Sequence, residues 1–320
     1  MAETSDHRIG AGSRIVAHVR MMRLDHSIKQ MFVAPGIVLA VSLGGVHLTA
    51  SIWLRIVIGL VAATLIASSN YVLNELLDAP FDRLHPSKKS RPAASGLAHH
   101  GWGYAQWVVL MLAGMALAVQ LGLGFALSAV GLWIMGCIYN IPPVRSKDVA
   151  YLDVLTESIN NPLRFCLGWY SVVTVLLPPT SLLISYWMLG CFFMVLKRFS
   201  EYRQIADHER AASYRRSFKH YSEEKLLNSA TFYAASSMLF FGAFIMRYRI
   251  ELILSFPVIA WLMAVYFSLS FRPDSPVQHP ELLYKEPRLM VPLCICIALM
   301  VVLLFVNVPW LGSTFPRSAP

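Results

Sequence analysis

The sequence predicts an all-helical integral membrane protein, and three observations carry that expectation. Of its 320 residues, 56% are hydrophobic and only 14% charged, where soluble domains carry about 25% charged residues. The apolar residues arrive in separated runs of about 17–25, the length a helix needs to cross a bilayer. No run shows the two-residue alternation of a membrane barrel, and only helices or closed barrels satisfy their backbone in hydrocarbon. This composition excludes a secreted disulfide scaffold, a disordered tail and a soluble nucleic-acid binder.

Residues 1–30 are polar and basic, and read as a cytoplasmic N-terminal segment with no signal peptide. Nine apolar spans follow, at 32–50, 52–76, 104–120, 122–140, 151–174, 180–197, 226–246, 250–270 and 289–309. They make a single transmembrane domain over 31–310 and leave 311–320 as a short extracytoplasmic tail. The links after spans one, three and five are short and nearly uncharged. Those after spans two, four, six and eight (77–103, 141–150, 198–225 and 271–288) are long and charged. The N-terminal segment and these four links, counted from Lys197, hold 22 of the 27 Lys and Arg. Such an excess places the N-terminus and the long links in the cytoplasm and the C-terminus outside. The net charge of +9 is therefore topological, with no nucleic-acid partner implied. Arg55, Arg164, Arg247, Arg249 and Arg317 stand outside the pattern. The five cysteines fall inside apolar runs without metal-ligand spacing and read as small buried hydrophobes.

Polar residues cluster at four places. The end of span two reads Asn74-Glu75-Leu76-Leu77-Asp78-Ala79-Pro80-Phe81-Asp82-Arg83. Asn74, Asp78 and Asp82 step by four and share a helical face. Two carboxylates beside an amide oxygen suit Mg²⁺ shared with substrate phosphates, and carboxylates at a membrane boundary are costly unless they serve a function. Pro80 is expected to kink or end the helix near Asp78, so that Asp82 approaches from a loop. Next, His85-Pro86-Ser87-Lys88-Lys89-Ser90-Arg91-Pro92 sets Lys88, Lys89 and Arg91 as a cationic patch in a proline-fixed loop, His85 being an ordinary loop histidine. Metal-holding carboxylates followed by phosphate-holding cations are what a diphosphate site needs.

The third cluster runs from Tyr139 and Asn140 through Arg145 and Lys147 into Asp153, Glu157, Asn160, Asn161 and Arg164. The last five form a polar stripe, which has to face the bundle interior or a watery cavity. The fourth is Lys197-Arg198-Phe199-Ser200-Glu201-Tyr202-Arg203, leading to Asp207, Tyr214, Arg215 and Arg216. Lys197 and Glu201 share a face, and the Arg run reads either as part of a site or as a solvated, positive-inside surface.

Asn74-x-x-x-Asp78-x-x-x-Asp82 at the cytoplasmic end of a second span, within nine spans, resembles the UbiA superfamily of intramembrane prenyltransferases. The resemblance implies a nine-transmembrane-helix bundle around a central cavity, in which two acidic motifs hold Mg²⁺ and a polyprenyl diphosphate. One departure stands out. Where the aromatic branch carries a second Asp-x-x-x-Asp, this sequence reads Lys197-Arg198-x-x-Glu201. That segment, His85-Pro86-x-Lys88-x-x-Arg91-Pro92, and Tyr139, Lys147 and Asp153 are similar to the branch that makes decaprenylphosphoryl phosphoribose. There phosphoribosyl diphosphate is the donor and polyprenyl phosphate the acceptor. Glu75 stands where many members carry Asp and keeps the carboxylate.

The roles implied follow. Asn74, Asp78 and Asp82, with Glu75 beside them, hold Mg²⁺ on the leaving diphosphate. Arg83, Lys88, Arg91, Arg145 and Lys147 offset its growing charge, with Asp78, Asp82, Lys147 and Asp153 the catalytic set. Lys197 and Arg198 attract the separate phosphate that a second acidic motif would repel, and Tyr139, Glu157 and Glu201 complete the substrate contacts. The alternatives are an aromatic prenyltransferase sharing the metal site and a transporter using the same intramembrane charges. Spans without detectable inverted halves argue against the transporter.

Overall fold

The computed structural model describes residues 11–83, 88–205 and 215–315, and every regular element among them is helical. His85, Asp207 and Tyr214 lie outside the described residues. The helices are α1 (Ala11–Met21), α2 (Ala34–Gly44), α3 (Ala50–Asp82), α4 (His100–Gln120), α5 (Leu123–Asn140), α6 (Leu152–Ser158), α7 (Asn160–Val172), α8 (Thr180–Ile205), α9 (Glu223–Tyr248), α10 (Phe256–Ser270), α11 (Pro287–Phe305) and α12 (Pro309–Thr314). Seven helical runs among the described residues are long and apolar enough to cross a membrane: α3, α4, α5, α8, α9, α11 and the Ile250–Ser270 run that ends in α10.

The expected first and fifth spans account for the difference from nine. The first is the short α2, within an apolar stretch Gln30–Gly44, and it stops at Gly45, whose φ of +59° suits glycine. The fifth is divided into α6 and α7. Pro162 has no N–H to donate and crowds the Ser158 carbonyl four residues back, where the helix breaks.

Pro80 behaves otherwise than the sequence suggests. α3 runs through it to Asp82, and the Arg83 N–H still donates to the Ala79 carbonyl at 3.1 Å. Asp82 is therefore a helical residue and not a loop one. At 1.5 Å per residue, the 33-residue α3 extends about 50 Å. A hydrocarbon core is about 30 Å thick, so the polar last turns of α3 reach beyond it.

α3 packs against α4, α5 and α7, α2 against α7, and α8 against α9. Ile66, Phe125, Leu132 and Leu167 are buried where α3, α5 and α7 meet. Phe165, Trp169, Phe192 and Phe199 anchor the larger core on α7 and α8. Val109, Leu112, Val119, Leu127 and Leu239 point outward and exposed, as a lipid-facing surface requires. α8 and α9 are joined by reciprocal buried bonds, Ser185 Oγ to the Ser237 carbonyl at 2.9 Å and Ser237 Oγ to the Ser185 carbonyl at 3.0 Å.

The α2–α7 contact is backbone on backbone. A Cβ on Gly36 would lie 2.0 Å from the Phe165 carbonyl oxygen, and one on Gly168 2.0 Å from that of Val33. Small residues permit such close crossings in membranes. Gly168→Val therefore forces the helices apart, and we expect a loss of about 3 kcal/mol, read as a lower unfolding midpoint in detergent.

Candidate active site

The end of α3 splits its polar residues between two tasks. Asn70, Asn74 and Asp78 face a pocket of about 250 Å³ that is also lined from α5 by Leu132, Gly136, Tyr139 and Asn140. Glycine at 136 makes the room: a Cβ there would lie 2.1 Å from the Asn70 side chain. Glu75, Asp82 and Arg83 turn instead to the loop that follows. Glu75 Oε1 accepts from the Ala93 N–H at 3.1 Å, Arg91 Nη1 donates to Asp82 Oδ2 at 2.7 Å, and Arg83 Nε donates to the Ala94 carbonyl at 3.2 Å. Glu75 and Asp82 are both buried. These three fasten the loop from which Lys88 and Arg91 reach the pocket.

Glu75→Ala removes a charged acceptor from a buried backbone N–H. We expect a cost of about 1.5–3 kcal/mol in stability and a raised KM for the anionic substrate with a smaller change in kcat. Steady-state kinetics beside a thermal melt checks both.

Asp78 is a heavily engaged carboxylate of the pocket. Its Oδ1 accepts from Lys147 Nζ at 2.6 Å and Arg145 Nη2 at 2.9 Å, and its Oδ2 from Asn74 Nδ2 at 3.3 Å. Asn140 Oδ1 accepts from both Asn74 Nδ2 and Lys147 Nζ. Arg145, at a strained φ of +29°, is held on its other side by Asp148 at 3.0 Å. The exposed Phe81 ring lies under two guanidinium groups, Arg145 at 5.2 Å and Arg216 at 5.7 Å, and Arg216 is 3.5 Å from Asp148. Burial draws the Lys147 pKa down while Asp78 holds it up. Burial, then the neighbouring Arg91, lowers that of Lys88.

Asp153 stands outside the pocket lining. Fully buried, it accepts from Arg198 Nε at 3.0 Å, Ser217 Oγ at 3.2 Å and the Tyr221 hydroxyl at 2.7 Å. Burial, and then the Asp153 charge, raise the Tyr221 pKa and keep the phenol a donor. Arg198 Nη1 donates to Glu201 at 3.1 Å, and Lys197 lies 3.9 Å from Glu201. This network ties α6 and α8 to the segment before α9. Of the residues the sequence assigns, the structure gathers Asn74, Asp78, Lys88, Arg91, Tyr139, Lys147 and Glu157 around the pocket, with Arg145 on Asp78. It does not bring Glu75, Asp82, Arg83, Asp153, Lys197, Arg198 or Glu201 into the lining.

Arg23 and Asn70 also line it without having been singled out in the sequence, whereas Asn160 and Arg164 belong to the polar stripe and Arg215 to the arginine run. Arg23 was hidden among topogenic charges, and Arg215 in an arginine run of two meanings. Asn70 carried a signal that was overlooked, lying one turn before Asn74 on the same face. The lining thus holds six cationic side chains, Arg23, Lys88, Arg91, Lys147, Arg164 and Arg215, against two carboxylates, Asp78 and Glu157. So positive a pocket attracts a highly charged anion.

The described residues contain no cluster of three His, Cys, Asp or Glu able to cage a metal. Mg²⁺ needs no such cage, since it takes one or two carboxylates together with waters and phosphate oxygens. Asp78 with Asn74 offers hard oxygen donors at the pocket wall, so the residues present fit a magnesium–phosphate complex.

The comparisons accord with this geometry. A UbiA homolog from Archaeoglobus fulgidus, solved bound to GPP and Mg²⁺, superposes with a TM-score of 0.66 over 91% of this chain and 100% of that one, at 19% identity. The decaprenyl-phosphate phosphoribosyltransferase of Mycolicibacterium smegmatis is 26% identical over 248 residues, covering 76% of this chain and 74% of that protein. The homogentisate phytyltransferase of Synechocystis is 33% identical over 127 residues, covering 38% and 40%. The profile of the UbiA prenyltransferase family matches residues 31–285. The apolar helices and the family match together make the chain an integral membrane transferase. The chain belongs to the UbiA prenyltransferase family.

Proposed function

We propose that the protein transfers a phosphoribosyl group from phosphoribosyl diphosphate to a polyprenyl phosphate, in a Mg²⁺-dependent reaction that releases diphosphate. The observation that carries this reading is the charge of the pocket: six cations against two carboxylates, with Arg198 and Glu201 of the second motif paired internally. A site of this balance suits a donor with a diphosphate and a separate phosphate better than one built on two acidic motifs. The mycobacterial relative bears the corresponding name.

Asp78 and Asn74 would hold Mg²⁺, which supplies Lewis-acid stabilisation of the leaving diphosphate. As the ribose C1–O bond breaks, its electron pair departs with the diphosphate, and Lys88, Arg91, Lys147 and Arg145 offset the growing charge. An oxygen of the lipid phosphate forms the new bond to C1. That phosphate is already ionised at neutral pH, so no general base is needed. Asp82, Arg83 and Glu75 position the Arg91 loop, and Asp153, Arg198 and Glu201 position the walls. In this reading residues 31–310 form one catalytic domain with nine membrane crossings, the short α2 and the broken α6–α7 included. The pocket is its central cavity. The N-terminus and long loops face the cytoplasm, and 311–320 lies outside.

The test is turnover in detergent with Mg²⁺, polyprenyl phosphate and labelled phosphoribosyl diphosphate, followed by organic extraction. Label enters the lipid phase and is lost with EDTA. The partial match to a phytyltransferase favours one second reading, transfer of a prenyl chain to an aromatic acceptor. Prenylated aromatic acid formed from a polyprenyl diphosphate, with no labelled lipid, would select it.

A further inference from the structure

The inner end of the pocket carries polar groups that the proposed chemistry at Asp78 does not use. Arg164, on α7, lines the pocket at 7% exposure. Its Nε is buried without a hydrogen-bond partner, and among the described residues it forms no ion pair. A guanidinium buried without a counter-ion is strongly disfavoured, so this position implies an anion that arrives with a ligand. Two acceptors stand unpartnered in the same pocket, Asn70 Oδ1 and Asn160 Oδ1, although each residue's Nδ2 is engaged, by the Leu132 and Glu157 carbonyls. Buried polar atoms of this kind are rare in folded proteins and call for a partner.

The depth of this group is set by α3 and α5. Asn70 lies two turns before Asp78, about 12 Å along the helix, and donates to Leu132 at 2.9 Å. Leu163, next to Arg164, lies against Gly131, the neighbour of Leu132. Arg164 and Asn70 therefore sit at one level, well inside the Asp78–Lys147 mouth. The orphaned atoms of the pocket residues are two cationic donors, Arg164 Nε and Arg215 Nε, and two neutral acceptors. A polyol phosphate complements that set, with hydroxyls to donate and a phosphate to accept, whereas a prenyl chain offers neither.

The geometry points to Arg164 as the anchor of a second anionic group of the donor, the 5-phosphate of phosphoribosyl diphosphate, with Asn70 and Asn160 accepting from the ribose hydroxyls between it and the diphosphate at Asp78. This rests on the phosphoribosyl reading and adds which end of the donor lies deepest and what selects it.

The experiment compares two donors, phosphoribosyl diphosphate and ribose 1-diphosphate lacking the 5-phosphate, in wild type, Arg164→Met and Arg164→Lys. Wild type prefers the phosphorylated donor by about 100-fold or more in kcat/KM, as expected when a buried charge is left unpaired by the truncated one. Arg164→Met loses most of that preference, and Arg164→Lys restores part of it. The ligand-free Met variant melts at or above the wild-type temperature, because it removes an uncompensated charge. An unchanged preference in Arg164→Met overturns the assignment, as does a lower melting temperature with both donors slowed alike, which marks Arg164 as structural. If wild type uses neither donor yet prenylates an aromatic acid, the functional reading itself fails and this inference with it.

Discussion

Asp78→Asn abolishes turnover, with a fall on the order of 1,000-fold or more and little change in stability. The substitution removes the carboxylate that accepts from Lys147 and Arg145 and that, with Asn74, would hold the metal. Several kcal/mol of transition-state stabilisation depend on that charge, and about 1.4 kcal/mol is each factor of ten. Stability is buffered, because Arg145 keeps Asp148 and Lys147 keeps Asn140 Oδ1. Labelled-lipid turnover and a thermal melt in the same detergent decide it. A protein that no longer folds would make the cluster structural.

Arg198→Met has the opposite profile, a large loss of stability. Arg198 is 3% exposed and answers both the fully buried Asp153 and Glu201. Removing one member of such a network strands the others, which costs about 3–5 kcal/mol. Adding Asp153→Asn to Arg198→Met removes one stranded charge and recovers part of the loss. Melting midpoints of the single and double variants measure this. A stable Arg198→Met with turnover alone impaired would return Arg198 to the substrate-contacting role its sequence position suggests.

The helical periodicity of Asn74, Asp78 and Asp82 pointed to the end of α3 where the structure forms its cationic pocket, because that spacing is a local property. Which side chains turn inward was not local. Asp82 and Glu75 are committed to Arg91 and Ala93, contacts that depend on how the next loop folds back. Asp153 and Arg198 look like site residues in sequence because each is a charge in an apolar setting. Their pairing across 45 positions satisfies the same electrostatic demand without any substrate. Arg23 carried no signal, since a pocket arginine and a topogenic one are identical until the chain closes. Seven of the nine expected spans were legible as hydropathy, but Pro162 acts on geometry, so α6 and α7 emerge as two short helices where one long one was expected. Pro80 shows the reverse, a helix breaker overridden by its surroundings.

The length of α3 has a kinetic consequence. Its 33 residues are longer than the hydrocarbon is thick, so on the proposed function its polar last turns, Asn74 to Asp82, meet the level of the lipid phosphates. On the proposed function the lipid acceptor reacts without its chain leaving the bilayer, and the protein meets it by lateral diffusion in two dimensions. Its effective concentration is a mole fraction in the membrane, not an amount per volume. Adding inert detergent or lipid at fixed total acceptor should therefore slow the reaction by surface dilution, while the water-soluble donor saturates as before.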